Sequence, residues 1–136
     1  MTTDTLIVIP ARWGSTRLPG KPLVEIAGQT MLSRVVDIAC HAADAVMSAQ
    51  ENHQVGVVVA TDDDRIHEHC ATLPVDSVMT GKDCPTGTDR AREAHRLMSD
   101  AFDYVVNLQG DAPLTPPDFV ADLVLGLIAS GADVAT

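Results

Sequence analysis

Thr5-Leu6-Ile7-Val8-Ile9-Pro10-Ala11-Arg12-Trp13-Gly14-Ser15-Thr16-Arg17-Leu18-Pro19-Gly20-Lys21-Pro22-Leu23 opens on a β-branched apolar run and passes into a segment rich in Gly, Pro and hydroxyl residues. Such a run reads as a buried strand that delivers the chain into a loop at its carboxyl end. Arg12, Arg17 and Lys21 place three fixed positive charges in that loop, on a chain whose net charge is −10. A local cationic loop on an acidic protein points to a small polyanion, triphosphate foremost. Arg and Lys neutralise phosphate oxygens, and Gly lets the backbone approach them. The loop is not a Walker A motif. Five residues separate Gly14 from Gly20, and Pro22 stands where the magnesium-binding hydroxyl would follow Lys21. The dinucleotide pattern G-x-G-x-x-G does not occur.

Outward from this segment, apolar runs and helical periodicities alternate. Strands are expected over 5–9, 55–60, 77–79 and 104–108, and 133–135 reads as the entry to a fifth. Met31, Leu32, Val35, Val36, Ile38, Ala39, Ala42, Ala43 and Val46 recur at helical spacing, which predicts a helix over 30–49 with Thr30 as its N-cap. Further helices are expected over 61–73, from Thr86 or Thr88 to about 98, and over 116–130 with proline in the first turn. This order predicts an α/β fold, a three-layer sandwich around a mostly parallel sheet with right-handed crossovers. The low aromatic content, with apolar residues drawn from Val, Leu, Ile and Ala, suits a sheet covered on both faces. Residues 1–136 read as one nucleotide-binding domain without repeats, low-complexity stretches or linkers.

Composition narrows the function. The acidic balance argues against nucleic acid and against an anionic membrane surface. No apolar stretch approaches a membrane span, and the N-terminal residues lack the basic region of a signal peptide, so a cytoplasmic location is expected. Cys40, Cys70 and Cys84 are odd in number and widely spaced, which suits neither a disulfide framework nor structural zinc. His67 and His69 would point to different sides of a helix, so His67-Glu68-His69 reads as a helix turn rather than a metal site.

Two further segments carry chemistry. Asn107-Leu108-Gln109-Gly110-Asp111-Ala112-Pro113-Leu114 places a carboxylate just beyond a buried parallel strand. Ligands of such sheets bind outside the carboxyl ends of the strands, so Asp111 shares a rim with the cationic loop and is placed to hold a divalent cation beside a triphosphate. Gly-Asp and Pro are also ordinary turn residues. Thr80-Gly81-Lys82-Asp83-Cys84-Pro85-Thr86-Gly87-Thr88-Asp89-Arg90 leads hydroxyls and Gly into a helix N-terminus, whose free N–H groups suit an anion or simply need a cap. Asp62-Asp63-Asp64 reads as capping and helix-dipole residues.

The loop IPAR followed by STRLPGKPL, the segment QGDAP and the segment TGTDR together resemble the cytidylyltransferases that act on sugar acids, specifically the 3-deoxy-manno-octulosonate cytidylyltransferase family. The resemblance runs from Leu6 to about Pro117 and includes Ala60-Thr61-Asp62. It implies a Rossmann-like sheet of the nucleotide-diphospho-sugar transferase type. It also implies transfer of a cytidylyl group from CTP to a Kdo-like sugar acid, with Mg²⁺ as cofactor. The resemblance gives Arg12, Arg17, Lys21 and Asp111 catalytic roles, Asp111 as metal ligand. Pro10, Ala11, Thr86, Gly87 and Arg90 would contact the nucleotide, and Gln109 would orient the sugar acid. Ala112 replaces a family Glu, and Cys84-Pro85 replace the usual His-Gln. Family members continue past this length, and that remainder carries the second metal carboxylate, most of the sugar-acid pocket and the homodimer element. Three readings follow: a Kdo-type cytidylyltransferase, one for a sialic-acid-like sugar, and a non-catalytic nucleotide-binding fragment.

Overall fold

The computed structural model describes residues 3–14, 18–98 and 102–132. Arg17 and the strand expected over 133–135 lie outside the described residues. The chain runs β1 (Thr3–Pro10), a 3-10 turn (Lys21–Leu23), β2 (Glu25–Ile26), β3 (Gln29–Thr30), α1 (Met31–Ala49), β4 (His53–Thr61), α2 (Asp64–Cys70), β5 (Asp76–Met79), α3 (Gly87–Leu97), β6 (Tyr104–Asn107) and α4 (Pro117–Ser130). The main sheet has the order β5-β4-β1-β6, every pairing parallel.

Strand alternation builds the three layers. Ile7 and Ile9 turn to one face of the sheet, where α1 and α4 cover them together with Ile66 of α2. Leu6 and Val8 turn to the other, against Ala91 and Ala94 of α3. All four strand side chains are fully buried, which is why the run carries no polar alternation. The nine apolar residues of α1 at helical spacing are all buried. Thr30 caps that helix, its hydroxyl oxygen accepting from the Ser33 amide at 3.1 Å.

From β1 the chain steps to β4 and then β5 with α1 and α2 on one face. It then crosses back over β4 and β1 to β6 with α3 on the opposite face. Reversing direction and face together keeps every crossover of one hand. The reversal opens a crevice between the carboxyl ends of β1 and β6, the switch point at which such sheets bind ligands.

Three local features differ from expectation. The helix expected over 61–73 spans only Asp64–Cys70. Thr61 stays in the β4 ladder opposite Met79, and Asp63 is the cap. At the other end the Thr72 hydroxyl donates back to the His69 carbonyl at 2.7 Å, and Pro74 disfavours helix in the residue before it. The 3-10 turn and the β2–β3 hairpin were not expected at all, because two-residue strands carry no period.

Ala27 and Gly28 form the hairpin's two-residue loop with φ of 52° and 86°. Positive φ at both positions is what a type I′ turn needs, and Asn tolerates it better than Ala. The Arg34 guanidinium holds the loop by donating to the carbonyls of Ile26 and Ala27. Ala27→Asn should therefore raise the thermal midpoint, with a gain on the order of 0.5 kcal/mol in denaturant titration. An unchanged or lower midpoint would contradict the turn assignment.

Candidate active site

The crevice is a cleft of about 240 Å³. Its floor is the carboxyl end of β1, tied on both sides: the Ala11 amide donates to Ala60 O of β4 at 2.9 Å, and the Gly110 amide, beyond β6, to Pro10 O at 3.1 Å. A Cβ on Gly110 would stand 2.8 Å from Pro10 O, so only glycine lets the two backbones approach this closely.

Arg12, Lys21 and Pro22 form one wall. Arg12 is exposed and takes no ion-pair or hydrogen-bond partner among the described residues. The loop carrying these cations is pinched at its base. The Gly20 amide donates to Trp13 O at 2.9 Å, and Gly20, with φ of 72°, lies directly against the Trp13 ring. The guanidinium of Arg65 sits 3.2 Å from the centre of that ring and is itself held by both carboxylate oxygens of Asp63. That pairing holds the Asp63 carboxyl below the usual carboxylate range. Nothing local in the sequence marks Arg65 as a neighbour of Trp13, since the contact joins the loop after β1 to the first turn of α2.

Cys84, Pro85, Thr86, Gly87 and Arg90 form the opposite wall. Thr86 caps α3: its side-chain oxygen accepts from the Asp89 amide at 3.1 Å, and its hydroxyl donates to the Asp89 carboxylate at 2.6 Å. Gly87 leaves room for Gln109, whose amide would lie 2.6 Å from any added Cβ. Gln109 is steadied by Asn107, which in turn donates to Thr88 at 3.2 Å. Arg90 differs from the other cations of the cleft. It is 3% exposed, and its guanidinium donates to Thr80 Oγ1 at 2.5 Å and Gly81 O at 3.0 Å, with Asp62 at 3.7 Å.

Asp111 lies between the walls, its Oδ2 3.4 Å from Lys21 Nζ. Both side chains are well exposed, so the pair is weak and either member is available to a ligand. Oδ1 of Asp111 takes no hydrogen bond among the described residues. Among those residues no three His, Cys, Asp or Glu side chains cluster to enclose a metal. A single carboxylate with a free oxygen, facing a cationic wall, suits magnesium, which keeps waters and takes its remaining ligands from phosphate.

The other titratable clusters are structural. His67 bonds Ser77 at 2.6 Å and His69 bonds Thr30 at 2.8 Å, on different neighbours as their spacing requires. The three cysteines are free thiols, and burial pushes Cys70 up to about 11. Among the described residues no helix is long and apolar enough to cross a membrane.

The cleft therefore joins Pro10, Ala11, Arg12, Lys21, Thr86, Gly87, Arg90, Gln109 and Asp111, taken from three separate sequence segments. A family model described as Cytidylyltransferase matches residues 6–136. The chain belongs to the cytidylyltransferase family. It is similar to the 3-deoxy-manno-octulosonate cytidylyltransferase of Maricaulis maris (strain MCS10), 55% identical over 114 residues, covering 84% of this chain and 40% of that protein. The protein of the same name from Zea mays is 40% identical over 120 residues, covering 88% of this chain and 37% of that one. A solved structure of CMP:2-keto-3-deoxy-manno-octonic acid synthetase complexed with CTP shares the fold at TM-score 0.75 and 35% identity, over 96% of this chain and 49% of that one. The chain thus spans less than half the length of these cytidylyltransferases.

Proposed function

We propose that this chain is the nucleotide-binding part of an enzyme that transfers a cytidylyl group from CTP to a Kdo-type 3-deoxy sugar acid, releasing pyrophosphate. The observation that carries the reading is one cleft at the β1–β6 switch point, cationic on one wall and capped by the α3 N-terminus on the other. The resemblance to a synthetase solved with CTP supports the choice of nucleotide.

In this reading the triphosphate lies along Arg12 and Lys21, which neutralise the leaving pyrophosphate as charge builds on it. Arg17 belongs to the same loop by sequence. Pro10 and Ala11 form the floor beneath the nucleotide. Thr86 and Gly87, at the start of α3, face the pyrimidine with hydroxyl and backbone groups. Gln109, held against Gly87, turns toward the sugar acid and sets the approach of its anomeric hydroxyl. Asp111 would hold Mg²⁺, whose contribution when bound is charge neutralisation on the phosphate oxygens. The sugar-acid pocket, a homodimer interface and a cytoplasmic setting belong to the complete enzyme in this proposal, with residues 1–136 as one domain of it.

The test is calorimetry of the chain with CTP, ATP and GTP in the presence of Mg²⁺. CTP should bind most tightly, because in this reading Thr86 and the backbone groups beside it recognise the smaller pyrimidine edge. Equal or tighter binding of a purine triphosphate would refute the assignment. In the complete protein, pyrophosphate release should require both CTP and Kdo.

A further inference from the structure

The segment between β5 and α3 forms the base-side wall of the cleft, yet it has no regular structure of its own from Thr80 to Thr86. Its shape is set by α3. Both backbone groups of Gly81 are taken by side chains one helical turn apart. The Gly81 amide donates to Glu93 Oε1 at 3.1 Å, and the Gly81 carbonyl accepts from Arg90 at 3.0 Å. The second carboxylate oxygen of Glu93 accepts from the Cys84 thiol at 3.0 Å. Arg90 also binds the Thr80 hydroxyl, and Thr80 is tied to Thr61 O at the end of β4. The segment then closes on the same helix through the Thr86 cap.

We infer that Glu93 is a positioning residue for nucleotide selection: with Arg90 it clamps the 80–86 segment so that Cys84, Pro85 and Thr86 present a fixed wall to the base. The inference rests on the nucleotide-binding reading of the cleft. Glu93 is not among the residues lining the cleft and acts through Gly81 and Cys84. The protonation states agree with the geometry. Burial and then the Glu93 contact push the Cys84 thiol up, and the Cys84 and Gly81 donors hold the Glu93 carboxyl down. The thiol therefore stays a donor and the carboxylate an acceptor at neutral pH. Arg90 and Glu93 sit at i and i+3 on α3, a spacing visible in the sequence, but nothing local says that both reach the same glycine.

The experiment compares Glu93→Ala and Glu93→Gln with the parent chain by calorimetry, using CTP and inorganic tripolyphosphate as probes with Mg²⁺. Tripolyphosphate reports the Arg12–Lys21 wall alone. Glu93→Ala should weaken CTP about tenfold, the scale of one charge-assisted hydrogen bond, and leave tripolyphosphate binding unchanged. Glu93→Gln keeps an acceptor for the Gly81 amide and should recover most of the loss. CTP affinity unchanged in Glu93→Ala, or an equal loss for both probes, would overturn the inference. Failure of the nucleotide reading itself shows differently, as a parent chain that binds CTP no better than tripolyphosphate. The clamp is then judged without nucleotide, by Gly81 amide exchange and by mass-mapped alkylation of Cys84. Acceleration of both in Glu93→Ala upholds it, and no change removes it.

Discussion

Asp111→Asn should abolish the magnesium dependence of CTP binding while leaving the fold intact. Among the described residues the carboxylate pairs only with Lys21, at 3.4 Å and in solvent, so its removal costs little in the folded state. A change within about 0.5 kcal/mol is expected for an exposed pair of this kind. The effect on the ligand is of another size. Outer-shell partners of a bound metal cost about 10–100-fold when lost, and a direct carboxylate ligand should cost no less. The measurement is CTP titration of parent and variant with and without Mg²⁺, alongside a thermal melt. In the parent, magnesium should tighten binding. In the variant the two curves should coincide, at an unchanged melting temperature. A variant that keeps the full magnesium response would show that Asp111 is a turn residue and that the ion is held elsewhere. Asn also removes the negative charge facing Lys21, so metal-free CTP binding should be equal or slightly tighter, a change in the opposite direction that separates metal loss from general damage.

Gly110→Ala should destabilise the protein and weaken nucleotide binding together, whereas Gly126→Ala should stabilise it. At Gly110 the new methyl would stand 2.8 Å from Pro10 O and 3.4 Å from Ala11 Cβ. The first contact is backbone, pinned by the β1 ladder and by the Gly110 amide itself, so it cannot rotate away. Forcing the strand ends apart should cost about 1–3 kcal/mol, the range for overpacking a filled site. It also displaces Asp111 relative to Arg12, because these residues extend the same two strand ends. Gly126 is in the middle of α4 with nothing within 4 Å of a built Cβ. There alanine should gain about 0.5–1 kcal/mol from helix propensity. Chemical denaturation of the two variants should thus move in opposite directions. A stable Gly110→Ala with parental CTP affinity would mean that the strand ends do not form the floor of the site.

The elements came from local pattern. The apolar runs near 5–9 and 55–60 carry no polar alternation because the sheet is covered on both faces, and that signature is visible in one dimension. The nine buried positions of α1 repeat at helical spacing, and Thr30 and Thr86 stand where an orphaned helix N-terminus needs an acceptor. The cationic loop and Asp111 were each readable as rim residues, since ligands gather at the carboxyl ends of parallel strands. Other features had no local trace. The β2–β3 hairpin is too short to show a period, and α2 ends early because of a threonine back-bond and a proline rather than a change in apolar spacing.

Residue types, element order and the chemistry of the individual loops were therefore determined by the sequence. The order β5-β4-β1-β6 was decided by the tertiary structure, and with it which loops meet. Lys21 and Asp111 are 90 positions apart, and only the return of the chain across two strands brings them to 3.4 Å. The same crossing lays Gln109 against Gly87. Arg90 shows the limit most clearly. Its position in the TGTDR segment suggested a contact to the nucleotide, and it does line the cleft, but the packing of α3 on the sheet commits its guanidinium to Thr80, Gly81 and Asp62. A buried charge must find partners where it lies, and those partners are chosen by long-range packing, which has no periodic signal along the chain.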